Sequence, residues 1–97
     1  MIVVIFKAKL RQPDAEYAQL AQRLRTLALE EFGCLAFATV TEGKTELALS
    51  YWPDENAIAA WKAHAEHLAA QQFGRDAWYD SYTVQVAQIV REYRFDS

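Results

Sequence analysis

The sequence predicts an α+β fold of the ferredoxin-like kind: a four-stranded antiparallel sheet with two helices on one face. Three observations predict it. Segments of period-2 and period-3.6 hydrophobicity follow one another as β-α-β-β-α-β. Each half repeats a strand, a Pro-Asp helix start, a helix and a strand, with Pro13-Asp14 and Pro53-Asp54 as the two starts. The chain has 97 residues, 53% hydrophobic and 24% charged, an ordinary balance for one globular domain over residues 1–97.

Residues 2–10 read as the first strand. Ile2, Val4, Phe6, Ala8 and Leu10 share one face, and Lys7 and Lys9 fall on the other. Val3 and Ile5 make the first half apolar on both faces, as in a strand covered on both sides. Asp14 then caps a helix whose stripe is Tyr17, Leu20, Ala21, Leu24, Leu27, Ala28 and Phe32. Gly33 suits the position just past its end. Residues 34–41 and 45–52 read as two strands joined through Glu42-Gly43-Lys44, a hairpin signal. The second helix runs from Pro53-Asp54 to about Gln72, with Gly74 just past it. An irregular segment, 75–81, leads into a last strand from Tyr82 to Phe95. The apolar parity of that strand switches near Ala87-Gln88, which predicts a bulge there.

Two split βαβ units leave the second sheet face open. That face carries Val3, Ile5, Ala36, Ala38 and Val40. An uncovered apolar face on so small a domain predicts a homodimer packed sheet against sheet. A last strand of fourteen residues is long enough to reach over the neighbouring subunit.

Composition narrows the function classes. A net charge of -3 with interspersed signs offers no footprint for nucleic acid. No run is long enough to span a membrane, and MIVVIFKAKL lacks the features of a signal peptide. A single cysteine, Cys34, excludes an intrachain disulfide and suits the cytoplasm. Its place after a helix C-terminus disfavours a thiolate, so its role reads as structural. There is no Gly-rich phosphate loop and no nucleophile elbow.

Aromatic residues are unevenly spread: seven of thirteen lie within 51–82, including all three tryptophans. Tyr51, Trp52, Trp61, Trp78 and Tyr82 are candidate walls of a pocket for a flat organic ligand, set against the alternative that they are core. In AAWKAHAEHLAAQ, 59–71, a turn of 100° per residue puts Ile58, Ala65 and Leu68 within about 60° of Trp61. His64 lies about 60° to one side, His67 about 120° away toward solvent, and Lys62 and Glu66 well out on the other side. His64 is therefore the candidate catalytic base, since an imidazole exchanges protons near neutrality. Its alternative is a structural role. Arg75 is a candidate holder of an oxyanion or quinol oxygen, or else a partner of Asp76, Asp80 or the helix end. Two histidines and one distant cysteine do not make a zinc site, so no metal is expected.

The aromatic end of the third strand, Ser50-Tyr51-Trp52, and the helix WKAHAEHLAAQ followed by GRDAWYDSY complete a pattern over nearly the whole chain. With the β-α-β-β-α-β order, it resembles the antibiotic biosynthesis monooxygenase family. The resemblance implies a dimeric α+β barrel. Its members include cofactor-independent oxygenases of anthrone-like and quinol substrates, haem-degrading oxygenases and autoinducer-processing enzymes. The quinone-forming members carry an asparagine near the end of the third strand, where Ser50 stands here, and then a tryptophan that Trp52 matches. The haem-degrading members pair a second-helix tryptophan, matched by Trp61, with two residues missing here. Their first-strand asparagine falls near Phe6 or Lys7, and their histidine ligand near Gln71. The resemblance thus implies a small oxygenase working without cofactor on an aromatic quinol or anthrone. The alternative is a non-catalytic dimeric module that binds a small hydrophobic metabolite. Haem binding through His64 or His67 is a third, weaker option.

Overall fold

A computed structural model describes residues 1–12, 14–71 and 78–97, with 67–71 described by backbone alone. The expectations for Pro13, Gln72, Gly74 and Arg75, and for the side chains of His67, Leu68 and Gln71, lie outside the described residues. The elements are β1 (Ile2–Leu10), α1 (Ala15–Glu31), β2 (Ala36–Glu42), β3 (Thr45–Trp52), α2 (Glu55–Gln71) and β4 (Tyr79–Gln88). The sheet is antiparallel throughout, in the order β2-β3-β1-β4. This is the ferredoxin-like arrangement that the sequence predicts.

Both helices start as expected. The Asp14 side chain accepts from the Tyr17 amide at 2.9 Å, and Asp54 does the same for Ala57 at 2.9 Å. Each capping carboxylate satisfies one of the orphan amides of a first turn. At the far end of α1, Gly33 takes φ 79°, and the Cys34 amide returns to the Ala28 carbonyl at 2.9 Å. Gly43, at φ 60°, opens the two-residue loop between β2 and β3, where a side chain would be strained.

Cross-strand partners share a face, so the register assigns every side chain. Val4, Phe6 and Ala8 lie opposite Ser50, Ala48 and Glu46 on β3 and Val86, Val84 and Tyr82 on β4. Phe37 and Thr39 of β2 extend this face. The helices cover it through two buried clusters. One joins Tyr17 and Leu20 of α1 to Ala8, Leu10 and Trp78. The other joins Ala28, Cys34 and Ile58 to Val4 and Trp52. The opposite face presents Val3, Ile5, Ala36, Ala38, Val40, Leu47, Leu49 and Tyr51, and no described element of the chain packs over it.

The last strand departs from the expectation at both ends. It begins at Tyr79, and pairing with β1 stops at Gln88, opposite Ile2. A strand extends only as far as its neighbour offers partners, and β1 has none left; the last bond is Ile89 N–H to the Met1 carbonyl at 3.0 Å. Pairing is regular through Ala87-Gln88, so no bulge forms there. The register shift lies instead at the start, where Lys9 faces Ser81 and Leu10 faces Tyr79, leaving Asp80 as the extra residue. Arg11 Nε donates to the Asp80 carboxylate at 2.8 Å across this bulge. Residues 89–97 lie outside the sheet, with Val90, Tyr93 and Phe95 highly exposed.

Candidate functional site

Between the two core clusters, the helices and the sheet enclose a cavity of about 450 Å³. The sheet contributes Phe6, Phe37, Ser50, Tyr79, Tyr82 and Val84; α1 contributes Tyr17, Leu24 and Arg25; α2 contributes Ile58, Trp61, Lys62, Ala65 and Glu66. The walls are mostly apolar and aromatic, and the volume suits a small flat organic molecule.

The aromatic walls are tied to the scaffold. Trp61, on the inner stripe of α2, donates its Nε1–H to the Leu24 carbonyl of α1 at 3.1 Å and meets Phe37 edge-on at 6.2 Å. The Arg25 guanidinium sits 6.0 Å from the Phe37 ring centre, a cation–π contact at the wall. At the other end, Phe6, Tyr79 and Tyr82 pack against one another at 5.4–5.7 Å between ring centres.

One corner is polar. The Tyr17 hydroxyl donates to Glu46 Oε2, and the Tyr79 hydroxyl lies 3.2 Å from the Tyr17 oxygen. All three residues line the cavity. A carboxylate can only accept, so the proton of Tyr17 points at Glu46 and Tyr79 must donate to Tyr17. Burial, then the hydrogen bond to Glu46, pushes the Tyr17 hydroxyl far above the ordinary tyrosine value. Burial raises Tyr79 as well, and the charge of Glu46 adds to it. Both phenols therefore stay protonated at neutral pH. Nothing in the residue types singled out this trio: a tyrosine near a helix start, another at a strand start and a strand glutamate carry no motif, and only strand register and helix docking make them neighbours.

A family model for antibiotic biosynthesis monooxygenases matches residues 1–72. The chain belongs to the antibiotic biosynthesis monooxygenase family. Uncharacterized protein YqjZ of Bacillus subtilis is 38% identical over 93 residues, covering 95% of this chain and 82% of that protein. Jasmonate monooxygenase ABM of Pyricularia oryzae is 28% identical over 98 residues, 97% of this chain and 46% of that protein, so the chain spans about half its length. A variant of SnoaB, a cofactor-independent oxygenase from Streptomyces nogalater, superposes with a TM-score of 0.74 over 94% of each chain. At 14% identity that likeness shows the fold alone.

Within this antibiotic biosynthesis monooxygenase fold, the structure brings together only some of the residues picked from the sequence. Trp61 and Tyr82 line the cavity. Trp52 is fully buried behind it, its ring 5.4 Å from that of Trp61 and its Nε1–H donated to Ser50 Oγ at 2.8 Å. Ser50 thus lines the cavity while serving as the acceptor for Trp52. Trp78 is buried against Tyr17 at 5.4 Å and is not a wall. Tyr51 lies opposite Val3 and Ala36, so its side chain belongs to the open sheet face. Arg75 lies outside the described residues.

His64 packs on Phe32 at 5.5 Å between ring centres and takes no part in the cavity lining. The side of α2 that borders the cavity carries Ile58, Lys62, Ala65 and Glu66, across the stripe from His64. Helical spacing puts His64 at one edge of the stripe, but the cavity opens along the other. Cys34 is buried and donates its thiol to the Ala36 carbonyl at 3.2 Å; burial raises its proton affinity, which keeps it a thiol. Among the described residues, no three His, Cys, Asp or Glu side chains converge to hold a metal ion, and no helix is long and apolar enough to cross a membrane.

Proposed function

We propose that the protein is a small monooxygenase that works without a cofactor on an aromatic quinol- or anthrone-like substrate held in the sheet–helix cavity. The observation that carries this reading is a mostly apolar cavity whose walls include Phe37, Trp61, Tyr79 and Tyr82, with the Glu46 carboxylate at its polar corner. Membership of the family supports it, as does the name of the jasmonate monooxygenase relative. For an anthrone-like substrate, the ring methylene and one molecule of dioxygen give a ring carbonyl and one molecule of water. One oxygen atom ends in the carbonyl, and the other leaves as water with both methylene hydrogens. The substrate supplies the electrons, and the protein excludes water, orients the ring and accepts a proton. The sequence points to His64 as the base. Its packing on Phe32 favours Glu46, the carboxylate at the cavity corner, for that role.

The test is oxygen uptake with a panel of anthrones and quinols. Turnover is expected to fall at least tenfold in Glu46→Gln, and by less than about twofold in His64→Ala, since general acid–base contributions are of order 10²–10⁴. No uptake above the uncatalysed rate with any member of the panel removes the reading.

A second reading is a binding module without turnover. The engagement of Ser50 with Trp52, and of both phenols within the polar corner, favours it, as does a lining that includes no imidazole among the described residues. Ligand-induced rises in melting temperature with no product by mass spectrometry distinguish it.

In either reading the working unit is a homodimer. The apolar open face supports this, and so do the residues beyond β4, whose exposed Val90, Tyr93 and Phe95 are available to pack on a neighbouring subunit. A chain whose single cysteine is kept buried as a thiol suits the cytoplasm.

A further inference from the structure

We infer that the Glu46–Tyr17–Tyr79 corner is an acceptor subsite that selects ligands presenting a phenolic hydroxyl. The inference rests on the reading of the cavity as a ligand site, but not on oxygen chemistry.

The direction of the hydrogen bonds makes the argument. Tyr79 donates to Tyr17, and Tyr17 donates to Glu46 Oε2. Both hydroxyl protons are thereby consumed inside the trio. What the corner has left to offer is acceptor capacity: Glu46 lines the cavity, and its second carboxylate oxygen, Oε1, has no donor within hydrogen-bonding distance among the described residues. The carboxylate is half-buried, and no described cation lies within ion-pair distance of it. Its neighbours across the sheet are Ala8 on β1 and Thr41 on β2. The adjacent lysines, Lys7 and Lys9, alternate onto the opposite face of β1. Arg25 and Lys62 line the cavity from the helices without reaching Glu46. Ala8 is buried in the adjoining core cluster and brings no donor to the carboxylate.

A carboxylate oxygen open to the cavity is met by water, and a ligand that displaces that water leaves the lone pair costly unless it supplies a donor of its own. An anionic ligand would be repelled there, and an ether or ketone would bring two acceptors together. A neutral hydroxyl supplies the missing donor, and the aromatic rings of Phe6, Tyr79 and Tyr82 beside it suit a hydroxyl carried on a ring.

The experiment is equilibrium binding followed by tryptophan fluorescence, with Trp61 in the cavity wall as reporter. The probes are 2-naphthol, 2-methoxynaphthalene and 2-naphthoate at neutral pH. The wild-type protein is expected to bind 2-naphthol about tenfold or more tightly than the methyl ether, the ratio that one hydrogen bond to a charged acceptor supplies. 2-Naphthoate is expected to bind most weakly. In Glu46→Gln, folded by near-ultraviolet circular dichroism, the preference should fall to within about twofold, because an amide offers a donor as well as an acceptor. Tyr17→Phe frees Oε2, so the preference should persist or grow, which serves where the glutamine variant does not fold. Equal binding of naphthol and ether by the wild-type protein overturns the inference, and so does an undiminished preference in Glu46→Gln. Failure of all three probes to bind removes the cavity reading itself. A naphthol preference without oxygen uptake from quinols leaves the subsite standing and removes the oxygenase.

Discussion

At the scale of single residues, the polar corner ties chemistry to stability. Tyr17 is buried, donates to Glu46 and is held protonated well above the ordinary value of 10. In the unfolded chain it ionises at about that ordinary value. Between the two values the folded protein binds the extra proton, so stability is intact below about pH 10 and falls as pH rises past it. Tyr79 is shifted the same way and adds to the fall. Tyr17→Phe is expected to lower stability at neutral pH by about 1 kcal/mol, the usual worth of one hydrogen bond. It should also flatten the decline of the urea midpoint between about pH 9 and 11 (an ordinary alkaline range for phenols). An equally steep decline in the variant would show that Tyr17 is not its source. Trp52 and Ser50 teach a related point. The tryptophan reads as a wall from sequence, yet it is fully buried and satisfied by the serine two residues before it on the same strand face. Alternation shows that the two share a face, but not how deep that face lies.

Among the elements, α1 is the one whose start the sequence specifies most completely. Asp14, at φ -114° and ψ -173°, caps it in an extended conformation and accepts from the Tyr17 amide, the residue that also reaches Glu46. Asp14→Ala should cost about 1 kcal/mol. For a domain of this size that lowers the melting temperature by roughly 4–8 °C in a thermal scan. A shift below about 1 °C (about 0.2 kcal/mol on that scale) would mean that the cap adds little to the helix. The second helix shows where periodicity stops. Angular position places Trp61 inward and His64 on a border of the stripe, and both hold. A stripe has two borders, however, and which one meets open space depends on the crossing of α2 over α1 and the sheet. Here the border with Lys62 and Glu66 meets the cavity, while that of His64 meets Phe32 at the end of α1. For β4, the parity switch near Ala87 marks the point where β1 runs out of partners, and the true irregularity sits at Asp80.

Across the full domain, the sheet leaves one face covered and one uncovered. Leu49 stands in the middle of the open face, opposite Ile5 on β1 and Ala38 on β2. Val40 at its edge is 65% exposed. We expect the protein to sediment as a dimer at micromolar concentration, and Leu49→Lys to weaken association at least tenfold, because a buried ammonium at the centre of an apolar interface finds no partner. A wild-type protein that sediments as a monomer would remove the dimer.

Element order, the helix starts at Asp14 and Asp54, the hairpin at Gly43, the two faces of β1 and the family are all legible in the linear chain. These are local or periodic features, set by backbone preference and by burial on one side of a strand or helix, so a one-dimensional pattern carries them. The site is not of that kind. Tyr17, Glu46 and Tyr79 lie far apart in the chain and meet through strand register and helix docking. Whether an aromatic residue is wall or core, and which edge of α2 borders the cavity, depends on how the layers pack. The change concerns His64 above all: helical spacing brings it to the border of the buried stripe, and packing turns it toward Phe32 and leaves Glu46 in the cavity.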